Sequence, residues 1–319
     1  VRFLKTKKSL GLLLGILLSV TFLLNGCGRG NQQESLYHIE DVSLSKASAF
    51  SENLCVVPLG EDNGHKKSLL AASSLIFDIT DQSVLYAENI YQKLYPASVT
   101  KIMTALVALK YGHLSDTVTI SYEASHIAEW DAKKCGFQEG DKVLLKDLLY
   151  AFLIYSGNDA GVAIAEHISG SVEAFAALMN LEAKALGATQ SNFVNPHGLH
   201  DDDHYTTTYD IYLIFQECIK NDTFVEIIHS PSYTLTYEDK KGEEHTVTYT
   251  TTNRYLNGKE AEPKGVTVIG GKTGTTQKAG SCLVLLSENK EGHSFISVIF
   301  KSENGDSLFS QMSQLLKME

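Results

Sequence analysis

Proline and cysteine are both scarce, with 5 of each among 319 residues, whereas glycine numbers 24. With 43% hydrophobic and 20% charged residues, so little Pro and Cys excludes a collagenous chain, a disordered chain and a disulfide-dense scaffold. Positive charge is also short: 27 Lys and Arg face 38 Asp and Glu, for a formal net charge of −11. A nucleic-acid binder needs a basic surface to displace counterions from phosphates, so that class is excluded. No internal repeat is present. What remains is a globular body with ample apolar material, long enough for one large domain or two small ones.

The first 26 residues differ from the rest. Arg2, Lys5, Lys7 and Lys8 precede an uncharged run, Ser9 to Leu24, which has the charge and length of an export signal. Asn25-Gly26-Cys27 follows at once, and Leu24 with Gly26 before Cys27 resembles the lipobox of bacterial lipoproteins, although Asn25 is an unusual neighbour. That resemblance implies lipidation of Cys27, a mature chain starting there, and a place at the extracytoplasmic face of a bacterial membrane, or secretion. The alternative is an uncleaved membrane helix, for which the run is short of the roughly 20 residues that span a bilayer. Removing residues 1–26 takes away four positive charges and leaves the body at −15. Any anion must then be held by a few placed cations against the field of the whole protein. Cys55, Cys135, Cys218 and Cys282 remain, at separations that match no zinc or CxxC pattern; disulfide pairing in an exported chain and unpaired burial are both open.

Residues 27–67 are polar and poorly periodic, as expected of a tether. From Leu69, LLAASSLIFDI and VLYAE around Thr-Asp-Gln-Ser read as a β-hairpin. Three- and four-residue apolar spacings then predict mainly helix from Ser98 to about His229. YTLTYED, HTVTYTT, VTVIGGKTGTT, SCLVLLSE and SFISVIF read as strands, and DSLFSQMSQLLKME as a closing helix. Strands from both chain ends must meet, which predicts one α/β domain over 68–319: an antiparallel sheet of about five strands with an inserted helical block.

Three short motifs carry chemistry. Ser98-Val99-Thr100-Lys101 opens a predicted helix, where positions i and i+3 share a face, so the Lys101 amine reaches the Ser98 hydroxyl. A buried lysine with a lowered pKa can serve as base for a serine nucleophile; the plainer reading is a Ser helix cap. Ser156-Gly157-Asn158 interrupts two apolar helical stretches and sets a hydroxyl beside an amide, or is an ordinary turn. Lys272-Thr273-Gly274-Thr275 stands in a predicted strand, where glycine permits close approach of another backbone. His197, His200 and His204 around Asp201-Asp202-Asp203 have chelating spacing, but Asn195-Pro196 and Gly198 favour a loop over a metal site.

Ser-x-x-Lys, Ser-x-Asn and Lys-Thr-Gly in this order resemble the signature set of the penicillin-binding proteins and serine β-lactamases. PASVTKIMTALVAL, SGNDAG, NPHGLHDDDHYTTTYD and GGKTGTTQKAGSCLVLL narrow the resemblance, which runs from about Ser68 to Glu319, to the low-molecular-mass D-alanyl-D-alanine carboxypeptidases. It implies a β-lactamase/transpeptidase-like fold and removal of the terminal D-alanine from peptidoglycan stem peptides, with β-lactams as covalent inhibitors and no metal or organic cofactor. It further implies Ser98 as nucleophile, Lys101 as general base and Ser156 as proton relay. Asn158 is implied to hold the substrate backbone, Lys272 and Thr273 its carboxylate, and Gly274 to sit beside Thr275, whose N–H joins that of Ser98 in an oxyanion hole.

Rival readings are a DD-endopeptidase, a class A β-lactamase and a non-enzymatic cell-wall or β-lactam receptor. The lactamase needs a glutamate in a loop after Ser-x-Asn, whereas Glu166 follows Asn158 by only eight residues within the helical pattern. Many members carry a second β-rich domain and an amphipathic C-terminal anchor. Only 45 residues follow Gly274, so the expectation is that both are missing and the lipid at Cys27 serves instead.

Overall fold

The computed structural model describes residues 69–130 and 132–319. The expected signal over 1–26, Cys27, the tether over 27–67 and Cys55 lie outside the described residues. Strands β1 (Ser73–Asp78) and β2 (Ser83–Glu88) form the opening hairpin. Near the other end of the chain, β7 (Val266–Thr276), β8 (Gly280–Asn289) and β9 (Ser294–Ser302) complete a five-stranded antiparallel sheet in the order β2-β1-β9-β8-β7. Ser73 pairs with Phe300 and Asp78 with Phe295, so the two ends of the chain meet as predicted.

Both faces of this sheet are covered, and the strand periodicity shows how. Side chains alternate along a strand, so Leu75 and Phe77 enter one core with Val284 and Val298, while Ile76 enters the other with Leu283, Leu285 and Ile299. The second core is closed by the last helix. Its apolar positions 308, 309, 312, 315 and 316 follow the helical repeat and are all buried. Asn304 caps it by accepting a hydrogen bond from the Ser307 N–H.

The first core is filled by the inserted block. A 3₁₀ turn, Ala97–Thr100, leads into α1 (Lys101–Tyr111), whose residues 101–105, 107 and 108 are all buried. Such an all-round apolar helix belongs in an interior. It lies against α4 (Asn158–Ser169), α5 (Val172–Ala185) and α6 (Thr208–Cys218). Between α1 and α4 come α2 (Tyr122–Ser125) and α3 (Leu145–Tyr150), and α7 (Asp222–His229) follows α6. The closing helix is α8 (Gly305–Leu316).

The helical block is not purely helical. β3 (Thr117–Thr119) and β4 (Lys142–Leu144) join β5 (Ser232–Glu238) and β6 (Glu244–Thr250) in a second sheet of order β3-β4-β5-β6. The five-stranded sheet from both chain ends stands as expected, and this second sheet is an addition to it. Strands of three residues are too short to carry a readable period, and β5 and β6 stand apart from the main sheet. Their outward face is polar, with hydroxyl pairs Thr234–Thr248 and Thr236–Thr246. Their inward side is tied to α3 and α7: Tyr150 and Tyr233 stack with ring centres 3.7 Å apart and donate to Glu226 and Asp147.

Leu315 of α8 is fully buried. Leu315→Ala should lower stability by about 2–5 kcal/mol through lost burial and a cavity, read as a lower urea midpoint at unchanged slope; a midpoint within error of wild type would show that α8 is not part of the cooperative fold.

Candidate active site

Ser98 occupies the 3₁₀ turn ahead of α1 and caps nothing: neither this turn nor α1 has a side-chain N-cap bond. The preceding Ala97 has φ of 48°, in the left-handed region that non-glycine residues seldom enter. Such strain at the Ser98 turn is kept in place by its surroundings. Thr100 donates to the Ala97 carbonyl at 2.8 Å, so its oxygen accepts from His204 Nε2 at 2.7 Å. That leaves His204 Nδ1 as an acceptor, and it takes the Val194 N–H at 3.1 Å. Burial pushes the His204 imidazole down to about 4. The histidine loop is therefore scaffolding for the Ser98 turn: His204 has both nitrogens engaged, and His197 Nδ1 accepts the Leu199 N–H.

The Lys101 ammonium donates to Ser98 Oγ at 3.0 Å, to Asn158 Oδ1 at 2.6 Å and to the His197 carbonyl at 2.7 Å. Its three donor sites are thus taken by three separate segments of chain. Lys101 is fully buried. Burial, and next the charge of Lys272, holds its pKa well below 10.5. Once neutral, the amine keeps two N–H donors for Asn158 and the His197 carbonyl and can accept the Ser98 hydroxyl with its lone pair. Asn158, expected to face substrate, offers its side-chain carbonyl to Lys101 here.

Ser156 ends a π-helical turn (Ala151–Tyr155) and sits at φ of 77°, a second strained residue in the same site. Lys272 donates to Ser156 Oγ at 3.1 Å and to the Thr273 carbonyl at 2.8 Å. It is 1% exposed, and burial followed by the charge of Lys133 lowers its pKa to about 7. Lys272 therefore serves Ser156 directly and the cleft only through its field. Two glycines are demanded by close approach. A Cβ on Gly274 would lie 2.9 Å from the Pro96 oxygen and from the Ser98 and Val99 nitrogens, so β7 reaches the nucleophile turn only with glycine there. A Cβ on Gly157 would lie 2.1 Å from Cys135 Sγ.

These residues border a cleft of about 300 Å³ lined by Ser98, Ser156, Thr273, Gly274 and Thr275, with Lys133, Thr252, Arg254 and the start of α8 opposite or beside them. Thr273 and Thr252 share a hydroxyl hydrogen bond of 2.6 Å. Arg254 pairs with Asp306 at 2.6 Å and lies over the Phe309 ring. The structure therefore brings every motif residue predicted in the domain into one site. Lys133, Thr252 and Arg254 were not found from sequence, because no spacing or motif ties them to Ser98. Cys135, Cys218 and Cys282 are free thiols, the last two buried.

If Lys101 is the base that activates Ser98, its deprotonated form is the active one, and acylation of Ser98 by penicillin should slow as pH falls through the depressed Lys101 pKa; an acid limb near 10.5 would contradict the burial effect. Lys101→Arg, which cannot deprotonate, should cut the acylation rate constant by about 10²–10⁴-fold at every pH.

The family model described as D-alanyl-D-alanine carboxypeptidase, Peptidase S11, matches residues 61–304. The D-alanyl-D-alanine carboxypeptidase DacF of Bacillus subtilis is 34% identical over 253 residues, 77% of this chain and 61% of that one. DacA of Haemophilus influenzae is 33% identical over 236 residues, 72% of this chain and 57% of that one. The chain thus spans about three-fifths of the length of these curated relatives. Among solved structures, the Streptomyces K15 DD-transpeptidase superposes with a TM-score of 0.73 at 27% identity, covering 80% of this chain and 98% of that one. Penicillin binding protein 5 of Haemophilus influenzae superposes with a TM-score of 0.69 at 30% identity, covering 82% and 72%. Sequence, fold and site agree, and the chain belongs to the Peptidase S11 family of D-alanyl-D-alanine carboxypeptidases.

Proposed function

We propose that the protein is a serine-type D-Ala-D-Ala carboxypeptidase that removes the terminal D-alanine of peptidoglycan stem peptides through a Ser98 acyl-enzyme. The observation that carries this reading is the contact of Ser98 Oγ with the desolvated Lys101 amine. Ser98 attacks the carbonyl between the two D-alanines, and Lys101 takes its proton. The oxyanion develops toward the backbone N–H groups of Ser98 and Thr275, and each such donor can contribute about 2.7–4 kcal/mol. Ser156, its oxygen held by Lys272, passes a proton to the departing amine and takes back the one that Lys101 received from Ser98, so Lys101 returns to the neutral amine. The neutral Lys101 then takes a proton from the water that attacks the acyl-enzyme and returns it to Ser98, as the bond to the acyl group breaks.

The terminal carboxylate meets the hydroxyls of Thr273 and Thr252, with Arg254 beside them. Penicillins offer a strained amide and a carboxylate to the same groups and acylate the same serine. Glu166 lies on α4, and among the described residues no glutamate lines the cleft. A base for rapid drug deacylation is therefore not supplied from that position.

The reading extends to location. Arg2, Lys5, Lys7, Lys8, the apolar run and Cys27 support an enzyme held by an N-terminal lipid at the extracytoplasmic membrane face, with residues 27–67 as spacer. One acyl chain binds only marginally, and lipoprotein-type modification supplies more than one.

A pentapeptide ending in D-Ala-D-Ala should release D-alanine with the wild-type protein, and Ser98→Ala should lose at least about 10⁴-fold in kcat/KM together with the penicillin adduct. Adduct formation without D-alanine release would favour an endopeptidase, and fast release of hydrolysed drug a lactamase. For location, Cys27→Ala should move the protein from the membrane to the soluble fraction of cells, and membrane retention would overturn the lipid anchor.

A further inference from the structure

Lys133 stands out against the charge of the whole chain. In a protein of net charge −11 it is exposed, lines the cleft with Ser98 and Ser156, and forms no ion pair among the described residues. The other cation lining the cleft, Arg254, is already paired with Asp306. Lys101 and Lys272 are buried and point at Ser98 and Ser156.

The position of Lys133 is built. Its carbonyl accepts the Asn158 N–H at 2.8 Å, which ties it to the turn that carries Ser156 and Asn158. Two residues further on, Cys135 and Gly136 are clamped by Asp159, which accepts their N–H groups at 2.8 Å each. The side chain runs over Tyr155 with Nζ 3.9 Å from the ring centre, a contact that orients an ammonium without neutralising it. Arg254 follows β6 and Thr273 belongs to β7, whereas Lys133 comes from the separate Tyr155–Asn158 side of the cleft. On the carboxypeptidase reading the terminal carboxylate meets the hydroxyls of Thr273 and Thr252, with Arg254, itself paired with Asp306, beside them.

Resting on the carboxypeptidase reading, we propose that Lys133 recognises a second carboxylate of the substrate, carried on the side chain of the residue before the D-Ala-D-Ala pair. It is a binding and specificity contact, and the enzyme prefers stem peptides that are anionic at that residue over those that are amidated there. Although Lys133 is exposed as a residue, desolvation of its ammonium lowers its pKa, and an arriving anion acts in the opposite direction.

The test uses two acetylated peptides, X-D-Ala-D-Ala, in which X is 2-aminopimelate with its side-chain carboxylate free or converted to the carboxamide. Wild-type kcat/KM should favour the acid about tenfold through KM, and the ratio should fall toward one at high salt. Lys133→Ala should collapse the ratio to about one, and Lys133→Arg should restore most of it. A ratio unchanged by Lys133→Ala overturns the proposal. Equal loss on both peptides also overturns it: with a displaced pH profile Lys133 tunes the buried lysines, and with an unchanged profile it reads the terminal carboxylate. Failure of the wild-type protein to release D-alanine from either peptide instead defeats the carboxypeptidase reading, and this proposal with it.

Discussion

The burial of the Lys101 ammonium is the constraint around which the domain is organised. Taking a charged amine out of water costs several kcal/mol, so it is either fully hydrogen-bonded or neutral. Here all three of its donor sites are used, and the acceptors come from the nucleophile turn, the turn before α4 and the histidine loop. Each of these segments is fixed for its own reason. The nucleophile turn is held by Thr100 and His204, the Asn158 turn by Asp159 and the Lys133 carbonyl, and the loop by its own side-chain bonds. Burial depresses the pKa while the three acceptors favour the charged form, and desolvation is the larger effect.

A second constraint is how closely β7 approaches Ser98. The edge strand of a two-faced sheet must come within contact of a turn that begins a central helix, and only a residue without Cβ at 274 allows it. That approach sets Thr273 and Thr275 along one wall of the cleft, while Lys272 turns back toward Ser156. Strain gathers where these walls meet: Ala97 and Ser156 are both non-glycine residues at positive φ. The cores on either side of the sheet supply the rigidity that holds them there.

Electrostatics divides the lysines by depth. Lys101 and Lys272 are desolvated, with lowered pKa values and contacts to Ser98 and Ser156, while Lys133 keeps its contact with the cleft. In an acidic chain, long-range attraction would do nothing to bring in an anion, so any anion bound in the cleft would depend on cations at contact range.

What the sequence determined by itself was whatever depends on short separations or on period. Ser98 and Lys101 are one helical turn apart, Ser156 and Asn158 share a turn, and Lys272 to Thr275 form one strand segment, so their local geometry follows from backbone form alone. The alternation in β1, β8 and β9 and the helical repeat in α8 likewise made the five-stranded sheet and its closing helix legible. Tertiary structure alone decided which groups meet across the chain. It set the His197 carbonyl on Lys101, Asn158 on Lys101 in place of the solvent side, and His204 under Thr100, and it brought Lys133, Thr252 and Arg254 to the cleft. It also joined strands of three residues into a second sheet. These contacts carry no local signal, because a hydrogen bond between residues 57 or 104 positions apart leaves no spacing to read. They exist only once burial has chosen which segments pack together.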